Sequence, residues 1–187
     1  MKIGFAFTGS YCTFAEVIPQ ITNLKEAGYE ILPIMSENSY STDTRFGKAA
    51  DFIKQIETLS GNEIIHTIRD AEPIGPKGIL DLLLIAPCTG NTLGKLAGGI
   101  TDTCVTMAAK GQLRNYKPVV IAVSTNDALS GSARSLGTLL NVRNIYFVPM
   151  GQDDIVKKPT SMMASFDLIT ATVGQALAGK QLEPLFV

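Results

Sequence analysis

The stretch Ile3-Gly4-Phe5-Ala6-Phe7-Thr8-Gly9-Ser10 decides the fold. Apolar residues run together without alternation and then meet a polar, glycine-bearing turn. A strand covered on both faces reads this way, and such strands belong to parallel sheets wrapped by helices. Thr13-Phe14-Ala15-Glu16 follows, with Thr and Glu spaced as in a capping box. Phe14, Val17, Ile18, Ile21 and Leu24 then recur at helical spacing, and Gly28 suits the stop. The chain therefore opens as strand, polar turn and helix.

The same alternation continues outward from that opening. Glu30–Met35, Leu82–Ala86, Val119–Val123 and Ile145–Val148 read as further strands. Helices are expected near 48–58, 93–97, 105–110 and 134–140. Ile64–Ile65 reads as a short extended piece ending at His66. Pro73, Gly75, Pro76 and Gly78 are expected to break any helix. Met162, Phe166, Ile169, Val173 and Leu177 mark one face of a final helix. Strands alternating with helices predict a doubly wound α/β sheet. No repeat or linker divides the 187 residues, so one domain over 1–187 is expected.

Composition narrows the function. Apolar residues are 45 % of the chain, which excludes a disordered polypeptide. Charged residues are only 18 %, so part of the surface is expected to be covered by other subunits. Sixteen basic against seventeen acidic residues leave a net charge of −1, against a nucleic-acid partner. Cys12, Cys88 and Cys104 form no C-x-x-C pair and His66 is the one histidine, so neither a disulfide framework nor a metal site is expected. The longest pure apolar run, Leu82–Ala86, is too short to span a bilayer, and Ile3–Phe7 is shorter than a signal-peptide core. These readings predict a soluble, cytosolic protein without membrane contact.

In an open parallel sheet, ligands gather beyond the carboxyl ends of the strands. The turns Thr8–Thr13, Ser36–Asp43, Pro87–Thr92 and Ser124–Ser132 are expected to meet there, rich in Ser, Thr, Asn and Gly. Such residues let backbone amides approach a phosphate and offer hydrogen bonds without adding charge. Thr8-Gly9-Ser10 fits a phosphate seat and fits an ordinary tight turn equally well. The dinucleotide and Walker glycine patterns are both absent. His66 carries an imidazole, the side chain type suited to acid–base work, or is a satisfied structural histidine. Cys88 precedes an expected helix start that favours a thiolate, or is a small buried residue.

Pro87-Cys88-Thr89-Gly90-Asn91-Thr92, continuing as Leu-Gly-Lys-Leu-Ala-Gly-Gly-Ile-Thr-Asp102, resembles the P-A-S-A-N-T motif of the flavin-containing cysteine decarboxylase superfamily. Gly9-Ser10 after the first strand, Ser36 after the second, His66 before the motif strand and Asn126 at the place of the P-x-M-N motif extend the resemblance. It implies a flavodoxin-like or Rossmann-like three-layer sandwich, FMN near subunit boundaries, and homo-oligomers built as trimers or their multiples. Gly9, Ser10 and Ser36 would take the phosphate, and Thr89, Gly90 and Asn91 the flavin ring. His66 would act as acid–base or carboxylate contact, Asn126 as substrate or flavin-edge contact, and Arg134 as a partner for a substrate carboxylate.

The sequence also departs from that family. Ala-Ser-Ala of the motif becomes Cys88-Thr89-Gly90, the P-x-M-N segment keeps only Asn126, and no cysteine follows Cys104. Peptidyl-cysteine decarboxylation is therefore disfavoured. The branch most resembled is one subunit of a two-component oxidoreductase that aromatises a dihydropyridine dicarboxylate in the mother cell of sporulating bacteria. The other component would be its partner and could hold NADP. The rival expectations are an FMN-dependent decarboxylase or flavin prenyltransferase, and a structural subunit without flavin.

Overall fold

A computed structural model describes residues 1–187. Its centre is a sheet of seven strands. Strand β1 (Lys2–Phe7) pairs in parallel with β2 (Glu30–Met35) on one side and with β3 (Leu82–Cys88) on the other. The sheet continues in parallel through β4 (Val119–Thr125) to β5 (Ile145–Phe147). Two short strands, β6 (Met150–Gln152) and β7 (Met162–Ala164), then run antiparallel and complete it. The sheet is thus mixed, with a parallel body and an antiparallel ribbon at one end, and this is the expected α/β sandwich with that addition.

Period-two alternation sends neighbouring side chains to opposite faces. Leu82, Leu84 and Ala86 of β3 join a core layer with Phe5, Phe7, Phe14, Ile18 and Val173. Leu83 and Ile85 join the opposite layer with Ala6, Val105, Ala108 and Ile121, and a register shift after Ile85 turns Cys88 to that layer as well. Each fully buried Leu, Ile or Phe contributes about 1.5–3 kcal/mol relative to exposure. Phe5 and Phe7 stack at 4.6 Å between ring centroids, and Phe14 meets Phe7 edge-on at 5.8 Å. The first helical segment is pinned to the first strand by these rings.

The helices are α1 (Phe14–Val17), α2 (Gln20–Glu26), α3 (Glu37–Ser41), α4 (Ala49–Ser60), α5 (Ile68–Ala71) and α6 (Ile74–Lys77), then α7 (Gly90–Ala97), α8 (Cys104–Arg114), α9 (Ala133–Leu139) and α10 (Ile169–Leu177). Several differ from expectation for identifiable reasons. The helix after β1 is interrupted at Ile18–Pro19, because proline has no amide to continue the ladder. The Thr13 hydroxyl donates to Ser10 O at 2.9 Å instead of accepting from the first turn, so no capping box forms. Pro73 and Gly78 bound the single turn α6 where a break was expected: Pro73 stands just before its start, without a side-chain cap, and Gly78, at φ +58°, ends it. Met162 belongs to β7, and α10 begins only at Ile169. Ile65 bridges Ile34 in parallel, so the short piece before His66 extends the β2 edge.

Candidate functional site

The turns that follow β1 to β4 meet at one rim, and their contacts are specific. The Thr8 hydroxyl donates to Pro87 O at 2.7 Å and accepts from Thr89 N at 3.1 Å, joining the β1 and β3 turns. Ser10 and Ser124 hydroxyls share a 2.7 Å hydrogen bond, joining the β1 and β4 turns. Ser36 N donates to Phe7 O at 3.0 Å and the Tyr11 hydroxyl to Asn38 O at 2.8 Å, bringing in the β2 turn. Thr8 is buried, so this junction is part of the core and not a loose loop contact.

Gly9 and Thr89 form a ridge with a cavity on each side. The larger cavity, about 600 Å³, is lined by Ser36, Asn38, Thr42, Asn91, Tyr11 and Lys95 among others. The smaller, about 330 Å³, is lined by Ser10, Cys12, Ser124, Asn126, Ser161 and Lys158 among others. The larger cavity therefore gathers Gly9, Ser36, Thr89 and Asn91, and the smaller gathers Gly9, Ser10, Thr89 and Asn126. Ser10 and Ser36, expected around one phosphate, face different cavities.

The other expected site residues stand apart. Gly90 lines neither cavity; a Cβ there would lie 2.5 Å from Ser132 Oγ and 2.8 Å from Asp127 Oδ1. Its missing side chain admits the β4–α9 turn, whose Asp127 carboxylate accepts from Thr125 Oγ1 at 2.6 Å and Ser132 Oγ at 2.9 Å. His66 also lines neither cavity and stacks flat on Tyr40 of α3 at 3.7 Å between centroids. Arg134 is exposed on the first turn of α9, again outside both cavities.

Helix starts differ along the rim. Ser36 Oγ accepts from Ser39 N at 3.3 Å and caps α3, and Thr89 Oγ1 accepts from Thr92 N at 3.3 Å and caps α7. The Glu37 carboxylate accepts from Cys104 N at 3.1 Å at the start of α8. The 3-10 turn Tyr11–Thr13 after β1 has no side-chain cap. Amides at an uncapped start lack intrahelical partners and attract anions.

The rim also carries charge that the hydroxyl-rich sequence did not advertise. Lys95 Nζ holds both Asp102 carboxylate oxygens, at 2.7 and 2.9 Å, and this hydrogen bonding keeps the Asp102 carboxyl below its ordinary range. Lys158 Nζ lies 2.6 Å from Asp153 Oδ2, which pushes the lysine above its ordinary range. Cys88 is fully buried and burial pushes its thiol well up, so the thiolate reading is set aside. Cys104 is pushed up to about 12 by burial and by the nearby Glu37 charge, and its Sγ donates to Met35 O at 2.9 Å. Sequence reading missed Lys158 because it sits in the polar excursion between two three-residue strands too short to show a period.

Comparison with known proteins agrees with this architecture. The family model described as Flavoprotein matches residues 1–176. The B-type subunit of dipicolinate synthase from Bacillus subtilis (strain 168) is 50 % identical over 186 residues, covering 100 % of this chain and 93 % of that protein. The crystal structure of the B-type dipicolinate synthase subunit from Bacillus halodurans superposes with a TM-score of 0.91 at 41 % identity, over 100 % of this chain and 95 % of that one. The FMN-dependent cysteine decarboxylase SpaF shares the fold, with a TM-score of 0.69 at 19 % identity over 94 % of this chain and 97 % of that one. A match along nearly the whole chain, joined to a full-length relative at this identity, means that the chain belongs to the Flavoprotein family, on the branch of the B-type dipicolinate synthase subunits.

Proposed function

We propose that the chain is the flavin-holding component of a two-component dipicolinate synthase. It would work with a separate A-type partner, and with NADP held by that partner, to oxidise dihydrodipicolinate to dipicolinate in the mother cell of a sporulating bacterium. The observation that carries this reading is the pair of cavities on either side of the Gly9–Thr89 ridge. One is sized for a cofactor and the other for a small planar acid.

The residues of the larger cavity fit FMN. Its volume of about 600 Å³ falls within the roughly 300–1,000 Å³ of small-molecule sites. Ser36, Asn38, Thr42 and Asn91 offer polar groups and Tyr11 an aromatic wall, Lys95 is a cation already paired with Asp102, and the lining carboxylate Glu37 accepts from Cys104 N. Gly9 leaves its side of the ridge open, since an added Cβ would meet only the Tyr11 ring, at 3.6 Å. Bound there, FMN would supply a ring able to accept a hydride. Gly9, Ser36, Thr89 and Asn91 are assigned to hold it. Ser10 and Asn126, across the ridge, are assigned to orient the dicarboxylate. Aromatisation would remove a hydride and a proton from the substrate ring, the hydride ending on NADP in the A-type partner and the proton in solvent. The low charged fraction supports assembly of this chain into homo-oligomers, and trimers or their multiples are what the family resemblance implies.

The test is reconstitution of the two components with dihydrodipicolinate and NADP. Dipicolinate should form with matching NADPH, at least tenfold faster with both components than with the A-type partner alone. Equal rates with and without this chain would overturn the reading. One observation favours a second reading, a purely structural component: His66 packs on Tyr40 and reaches neither cavity. Full activity of His66→Ala in the reconstituted pair, together with no retained flavin, would decide for that reading.

A further inference from the structure

We propose that Lys158 binds a carboxylate of the substrate in the smaller cavity, the role that position along the chain suggested for Arg134. The assignment rests on the dicarboxylate reading above and deepens it. Both side chains are exposed, but Arg134 lines neither cavity, whereas Lys158 lines the same cavity as Ser10, Ser124, Asn126 and Ser161. A flat acid placed there meets a cation, the linked Ser10–Ser124 hydroxyls and an amide within one open cavity of about 330 Å³.

The lysine is delivered by a structured arm. β6 and β7 are the two legs, and the excursion between them turns back on itself. Asp154 Oδ1 accepts from Val156 N at 3.1 Å and Lys157 N at 2.9 Å, and Lys158 N donates to Asp154 O at 2.7 Å. At the base of the turn Lys158 Nζ meets Asp153 Oδ2 at 2.6 Å. β7 in turn pairs with the end of β4, so the arm is fixed to the strand that carries Ser124 and precedes Asn126.

Two carboxylates, Glu16 and Asp153, also line this cavity. Asp153 is the group that the ligand replaces on Lys158, and it already lines the neighbouring cavity as well. Glu16 is exposed, so its repulsion is screened by solvent. The resting ion pair thus holds the cation in place and competes with the incoming acid. A competing pair predicts opposite effects when its two members are neutralised.

Dipicolinate itself is the probe, titrated calorimetrically into the purified chain with and without FMN. The wild type should bind it. Lys158→Gln should weaken binding at least tenfold, Lys158→Arg should restore most of the loss, and Asp153→Asn should tighten binding severalfold. FMN affinity should not change in any of these. A merely structural role for the pair would make Lys158→Gln and Asp153→Asn weaken binding alike, and that result overturns the proposal. So does unchanged binding in Lys158→Gln, which leaves the dicarboxylate reading standing. No binding by the wild type overturns both.

Discussion

The two cavities beside the Gly9–Thr89 ridge are built from the same sheet edge, yet they are finished differently. Around the larger one, the helix starts are closed by the chain's own groups: Ser36 caps α3, Thr89 caps α7 and Glu37 meets the first amide of α8. Its lysine is held by both oxygens of Asp102. Around the smaller one, the turn after β1 is uncapped, and Lys158 rests on a single carboxylate oxygen. The first side is a preorganised seat and the second keeps exchangeable partners. A resident cofactor suits the former, and a substrate that must enter and leave suits the latter.

The comparison breaks most completely at the shared ridge. Gly9→Val should abolish binding of both FMN and dipicolinate, read by dialysis and calorimetry, while circular dichroism stays native. On one side only, Ser10→Asp sets a carboxylate beside Ser124 and should weaken dipicolinate more than tenfold. Behind the ridge, Gly90→Ala forces a Cβ to 2.5 Å from Ser132 Oγ. Overpacking of this kind costs about 1–3 kcal/mol, which a urea unfolding midpoint would register. Thr89→Ala removes the α7 cap and should cost about 1 kcal/mol in the same assay. Ser10→Ala removes no cap and breaks the hydroxyl pair with Ser124, so it should cost about 0.5 kcal/mol, the low end for a hydrogen bond. Equal losses for Thr89→Ala and Ser10→Ala would erase the distinction between the two turns.

Thiol labelling gives the mildest test. Cys12 is exposed and lines the smaller cavity, whereas Cys88 and Cys104 are buried with raised thiols. A disulfide reagent should modify Cys12 first and reach the other two only on denaturation. Dipicolinate should slow the Cys12 reaction, and FMN alone should not.

Much of the architecture could be read from the chain because its strands are long enough to be unmistakable. Ile3–Phe7 and Leu82–Ala86 are uninterrupted and buried on both faces, and the polar turns after them converge as their composition suggests. The antiparallel ribbon was hidden for a physical reason. β6 and β7 span three residues each, and the spacing from Met162 through Phe166 to Ile169 imitates a helix across a strand, a 3-10 turn and a true helix. Without that ribbon Lys158 has no place in the site. His66 and Arg134 show the complementary limit. Order along the chain puts both near the rim, but only packing sends His66 onto Tyr40 and leaves Arg134 exposed on α9. Gly90 was expected at the flavin ring, and what approaches it is Ser132, with Asp127 and Thr125 behind.

The most direct test is flavin retention after FMN loading and desalting, read by visible absorbance in the wild type, Ser36→Asp and Ser10→Asp. Aspartate still caps a helix, so Ser36→Asp leaves α3 formed while placing a negative charge in the larger cavity. The account predicts about one flavin per wild-type chain, none in Ser36→Asp and full retention in Ser10→Asp. A wild type that emerges colourless, or loss in Ser10→Asp with retention in Ser36→Asp, would contradict it.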